Sequence, residues 1–106
     1  LQQRDGVKEK DESKDKAVLS YEEQKRNKNR ISSLEKKIVK AEETLAKLEE
    51  KKALKEEEYN EAGRVNDLDK LLTIQKELED FDMEIMTVME EWESLEEELK
   101  SLRGEA

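Results

Sequence analysis

Cysteine and histidine are both absent from this 106-residue chain. Without thiols there is no disulfide framework and no thiolate ligand; without imidazole the commonest metal ligand and general base is missing. Zinc sites and Ser/His or Cys/His catalysis are therefore excluded. Proline is absent too, glycine occurs three times and aromatic residues make up 4%. The chain thus has no proline to break a helix and too little ring surface for a globular core. No apolar run approaches the roughly 18 residues of a membrane span, and there is no signal-peptide core, so the sequence predicts a soluble, cytoplasmic chain that contacts no membrane. No glycine-rich phosphate loop occurs, which argues against ATP or any other cofactor binding here. The first residue is Leu1 rather than methionine, which predicts a piece of a longer protein with any chemistry lying upstream.

What is present is charge. Charged side chains are 48% of the residues, with Glu, Lys, Leu and Ala dominant, the composition of long helices with one narrow apolar seam. Residues 1–18 (LQQRDGVKEKDESKDKAV) hold five basic and five acidic side chains and almost nothing apolar. Little there offsets ordering entropy, so this stretch is read as a disordered charged linker. At Leu19-Ser20-Tyr21-Glu22-Glu23 an S-x-x-E capping box marks a helix start.

From there Ile31, Leu34, Ile38, Ala41, Leu45 and Leu48 step by three and four, which puts them on one helical stripe. Gln24 and Asn27 fall in the same register upstream; Lys52 and Lys55 follow downstream, their stems covering the seam with the ammonium groups in water. Apolar character returns at Tyr59. Gly63 suits the left-handed conformation that ends helices, and Asn66 followed by Asp69 reads as the next N-cap. A second seam then runs through Leu71, Ile74, Leu78, Phe81, Ile85, Val88, Trp92, Leu95, Leu99 and Leu102, with Gly104 as a stop.

The expected architecture over residues 19–104 is all-α, a two-helix antiparallel coiled-coil hairpin: helix 1 at about 21–59, a loop at about 60–66 and helix 2 at about 67–103. About 37 residues on each side of the loop make rods of roughly 55 Å at 1.5 Å per residue. Folding about residue 63 would set Leu34 near Trp92, Ile38 near Val88, Leu45 near Phe81 and Leu48 near Leu78. A parallel coil between chains would instead carry Gly63 inside a helix, at a cost of roughly 1 kcal/mol. Met83, Met86 and Met89 lie outside the seam, partly exposed and suited to adaptable contacts, which leaves a weak homodimer of hairpins open.

Charge is divided unequally. Residues 22–59 hold 11 basic and 10 acidic side chains, whereas residues 66–106 hold 4 and 14. Glu90, Glu91, Glu93, Glu96, Glu97 and Glu98 read as a solvated face rather than a metal cage. Lys25, Arg26, Lys28, Arg30, Lys36, Lys37 and Lys40 form a basic cluster near the start of helix 1. Two readings stand level: the cluster contacts nucleic-acid phosphates, or it pairs with acidic helix 2. The net charge of −9 counts against tight nonspecific binding. Trp92 reads as core, and Tyr21 as packing against the last turns of helix 2 or stacking on a partner.

Leu19-Ser20-Tyr21-Glu22-Glu23-Gln24-Lys25 at one end and Glu91-Trp92-Glu93-Ser94-Leu95-Glu96 at the other resemble the motifs that bracket the C-terminal coiled-coil domain of ABC-F type ATPases. The resemblance covers about residues 19–102, and the preceding charged tract resembles the linker after the second nucleotide-binding domain. It implies a parent ATPase without membrane spans, with ATP and magnesium sites upstream. It also implies relatives that act on ribosomes in translation or bind RNA or DNA, the hairpin being a non-catalytic arm. Helix 2 departs from the pattern by its acidity, which leaves helix 1 to supply any nucleic-acid surface. More distantly, the hairpin resembles the tRNA-contacting C-terminal arm of valyl-tRNA synthetases. The alternative is a structural or self-associating coil making protein contacts.

Overall fold

The computed structural model describes residues 2–104, with side chains described from Ser20 to Gly104. Leu1, Glu105 and Ala106 lie outside the described residues. Two α-helices make up the fold, α1 (Gln2–Arg64) and α2 (Leu68–Arg103). The chain divides into two units, Leu1–Ser33 and Leu34–Ala106.

In the first unit the structure corrects two expectations. Residues 2–18 are helical rather than a disordered linker, and Ser20 stands inside α1 instead of capping it. The stretch has no proline and a single glycine, Gly6, and its Gln, Lys, Arg and Glu residues lose little rotamer freedom in a helix. Extending a helix that already exists also avoids the cost of nucleating one. Low apolar content argued against packing, and helix formation here does not need packing. From Ser20 to Ser33 every side chain is exposed except Asn27 and Ile31, which are half-buried.

The second unit is the antiparallel hairpin. α1 runs through the expected loop to Arg64, so three residues, 65–67, make the whole turn. Asn66, with φ 54°, takes the left-handed conformation assigned above to Gly63. The N–H of Asn66 donates to the Gly63 carbonyl at 3.3 Å and that of Asp67 to the Ala62 carbonyl at 3.0 Å, the paired bonds of a Schellman ending. Asparagine tolerates this conformation through its short polar side chain. Asp67, rather than Asn66, is the N-cap of α2, its Oδ1 accepting the backbone N–H of Lys70 at 3.2 Å. At the far end Gly104, with φ 73°, donates its N–H to the carbonyls of Lys100 and Ser101 and stops the helix.

The seam positions are those expected, with Ala62 added. Leu34, Ile38, Ala41, Leu48, Ala62, Ile74 and Leu99 are buried. Leu45, Lys52, Lys55, Tyr59, Leu71, Leu78, Phe81, Ile85, Val88, Trp92, Leu95 and Leu102 are half-buried. No described side chain falls below 2% exposure, because a two-helix seam is open to water along both flanks.

The register differs from the expected one. The cross-helix ion pairs Lys55–Glu77, Lys52–Asp82 and Glu35–Arg103 have midpoints at residues 66, 67 and 69 rather than 63. Val88 accordingly lines a groove with Ala41 and Thr44. The slide amounts to about one heptad, which a seven-residue repeat accommodates with its apolar stripe still in place. Hydrophobic pattern alone could not select between the two alignments; the tight turn at 65–67 does.

Candidate nucleic-acid interface

All seven residues of the basic cluster lie on α1 and are exposed. Lys25, Arg26, Lys28 and Arg30 belong to the unit Leu1–Ser33, and Lys36, Lys37 and Lys40 to the hairpin unit. At about 100° per residue the first four fan across an arc of roughly 200°, so they present cations to several sides of the helix. Lys36, Lys37 and Lys40 fall within about 100° and form a patch on one side. Lys37 and Lys40 line a shallow groove beside the seam with Ala41, Thr44, Val88 and Glu91. Thr44 turns its hydroxyl inward, donating to the Lys40 carbonyl at 2.9 Å.

The two readings of the cluster can now be weighed. Arg26 meets Glu22 on its own helix, at 3.7 Å and with both side chains largely exposed, a contact worth little in water. Among the described residues no ion pair engages Lys25, Lys28, Lys36, Lys37 or Lys40. Outside the cluster, Lys52 reaches across the hairpin to Asp82 at 2.6 Å, Lys55 to Glu77 at 2.7 Å, and Arg103 to Glu35 at 2.9 Å.

These cross-helix pairs were not foreseen, because the register assumed from the sequence put other residues opposite Lys52 and Lys55. The lysines do more than cover the seam with their stems. Lys52 is raised above the ordinary lysine pKa, chiefly by its hydrogen bond to Asp82, partly offset by desolvation, with Glu56 and Glu49 adding attraction. Lys55 is raised chiefly by its hydrogen bond to Glu77 and next by that to Glu58. Two lysines in the apolar stripe, each answered by a carboxylate on the other helix, give the hairpin a polar layer that pattern counting registers only as a gap.

Elsewhere the site residues divide. Trp92 is half-buried in the seam as expected, with its Nε1 buried and without a hydrogen-bond partner among the protein atoms. Tyr21 is 68% exposed, so its ring is not packed. Met83, Met86 and Met89 are 69%, 63% and 46% exposed, in line with their place outside the seam. Among the described residues no group of three or more acidic side chains is arranged to hold a metal ion, and no described helix is long and apolar enough to cross a membrane.

Compared with family models, with curated proteins and with solved structures, the chain finds no match in any of the three.

Proposed function

We propose that this hairpin is the C-terminal coiled-coil arm of a cytoplasmic ABC-F type ATPase, non-catalytic itself, and that it contacts ribosomal RNA, tRNA or DNA through α1. The observation that carries this reading is the set of exposed lysines, Lys25, Lys28, Lys36, Lys37 and Lys40, that no carboxylate engages among the described residues. Cations left in water at that density keep their full attraction for phosphate, whereas cations already paired would have to give up a partner first. α2 holds 11 acidic side chains and no basic one between residues 77 and 99, so it repels phosphate and confines contact to the α1 side. ATP and magnesium belong to the parent's upstream domains in this reading.

The test is a titration of labelled ribosomal RNA and duplex DNA with the full chain at several salt concentrations. Five phosphate contacts to a single strand, one for each of these lysines, would give a logarithmic salt slope of about −3.5, hence a loss of roughly a hundredfold between about 50 and 200 mM salt. Charge reversal at Lys25, Arg26, Lys36 and Lys37 should remove about half of that slope or more. Salt-independent binding, or binding unchanged in the reversed variant, would overturn the reading.

A second reading, a protein-contact coil, has its own observation in the exposed methionines of α2.

A further inference from the structure

One face of the hairpin is both apolar and uniformly acidic. Ile85, Met86 and Met89 line a shallow groove on α2 together with Asp82, Glu90 and Glu93. Met83 extends the apolar strip by one turn at an i, i+3 spacing, and it is the most exposed of the three methionines at 69%. Methionine suits such a surface, being flexible and polarizable enough to repack around more than one shape. Asp82 is already paired with Lys52 across the hairpin, so the carboxylates that border the strip without a cation are Glu90 and Glu93, and α2 itself holds no basic residue between Glu77 and Leu99.

We propose that this face docks a basic amphipathic helix of a partner protein, its apolar stripe laid on Met83, Met86 and Met89 and its lysines or arginines against the flanking carboxylates. The apolar strip follows helical spacing, which matches the anchors of a helix packed alongside. The charge border selects the sign of that helix. Two identical faces brought together would oppose Glu90 and Glu93 to like carboxylates, so the strip does not pair with itself. The basic stretch of α1 in a second copy is no better fitted. Around Lys36, Lys37 and Lys40 the apolar residues Leu34, Ile38 and Ala41 are buried, leaving Val39 as the exposed one. Between residues 20 and 30 the only apolar residue is Tyr21. A membrane surface is disfavoured by the same acidic border, because anionic headgroups would be repelled.

The experiment titrates the full chain against a labelled Leu/Lys amphipathic peptide of about 18 residues, long enough to span the strip. A peptide of identical composition, scrambled so that it has no apolar face, is run beside it. The test variant is the triple Met83→Ser, Met86→Ser, Met89→Ser; these side chains are exposed, and helicity is checked by circular dichroism. The single variant Met86→Gln serves if the triple loses helix. The expected result is one-to-one binding of the amphipathic peptide, weakened at least about tenfold by the triple variant and by scrambling, since both remove the apolar contact. Binding that ignores the methionines, or that the scrambled peptide matches, would mean charge attraction alone and would overturn the proposal. So would a chain dimer in sedimentation equilibrium that the methionine variant dissolves. Charge reversal at Lys25, Arg26, Lys36 and Lys37 leaves peptide binding unweakened, which keeps this outcome separate from that of the nucleic-acid reading.

Discussion

Replacing Ile74 with alanine is the sharpest available test of which stripe lies inside. Ile74 is 2% exposed, whereas Leu72, two residues earlier on the same helix, is 67% exposed. Ile74→Ala removes three carbon groups from the seam, a transfer loss of about 2.4 kcal/mol at roughly 0.8 kcal/mol each. The cavity penalty that adds to this in a globular core is small here, because a two-helix seam can close from its open flanks; a total of about 2–3 kcal/mol follows. For a domain of this size that lowers Tm by about 10–20 °C. Leu72→Ala removes a similar bulk from water-exposed surface and trades into the best helix former, so its effect should stay within about 0.5 kcal/mol. Thermal melts followed by far-UV circular dichroism measure both. Equal losses for the two variants, or a larger one for Leu72→Ala, would mean that α2 is rotated about its axis and that the seam assigned here is wrong.

Gly63 is helical, and a Cβ there would lie 4.0 Å from Leu71 Cδ2, an ordinary contact, so Gly63→Ala should stabilise the hairpin by about 0.5–1 kcal/mol in denaturant melts. Gly104, at φ 73°, should behave oppositely, Gly104→Ala costing about 1 kcal/mol by the same measurement. Carbodiimide cross-linking with mass spectrometry should join Lys55 to Glu77 and Lys52 to Asp82 within one chain; cross-links centred on residue 63 would reinstate the earlier alignment. Lys52 and Lys55 bind their protons more tightly folded than unfolded, so their contribution is complete below the unfolded pKa of about 10.4 and is lost as pH rises through the raised folded values. Melts at about pH 9 and pH 11 should therefore show a steeper alkaline loss in the natural sequence than in a Lys52→Met, Lys55→Met variant; parallel losses would remove the polar layer from the account of stability.

The seam was legible because it rests on one local rule. Residues Leu34 to Leu48 and Leu71 to Leu102 step by three and four, and every one of those positions is buried or half-buried. What the rule leaves out is anything that repeats with the same period. Sliding α2 by a heptad exchanges one apolar residue for another, so the choice of register fell to Asn66 and Asp67, whose roles in the turn looked interchangeable with those of Gly63 and Asn66. The start of α1 was misplaced for another reason. Ser20 and Glu23 satisfy the capping-box spacing, yet a capping box stabilises a helix end only where the preceding residues leave the helix, and residues 2–18 have the propensity to continue it. The exposed lysines could be named from sequence, but whether carboxylates engaged them depended on the register and so could not.

The polar layer and the acidic face bear on each other through that register. Lys52 and Lys55 sit where apolar residues would pack more tightly, and an apolar pair there would leave a seam free to slide by a heptad. Pairing with Asp82 and Glu77 instead penalises the slid alignment, in which these cations would lose their carboxylates at half-buried positions. The same register sets Val88 and Glu91 against the Lys37–Lys40 flank. The distribution of charge on this hairpin therefore rests on alignment as much as on composition. A chain slid by one heptad would keep its helices and nearly all of its apolar burial, yet it would bring different carboxylates beside the lysines of α1 and weaken the separation of charge on which both proposed contacts depend.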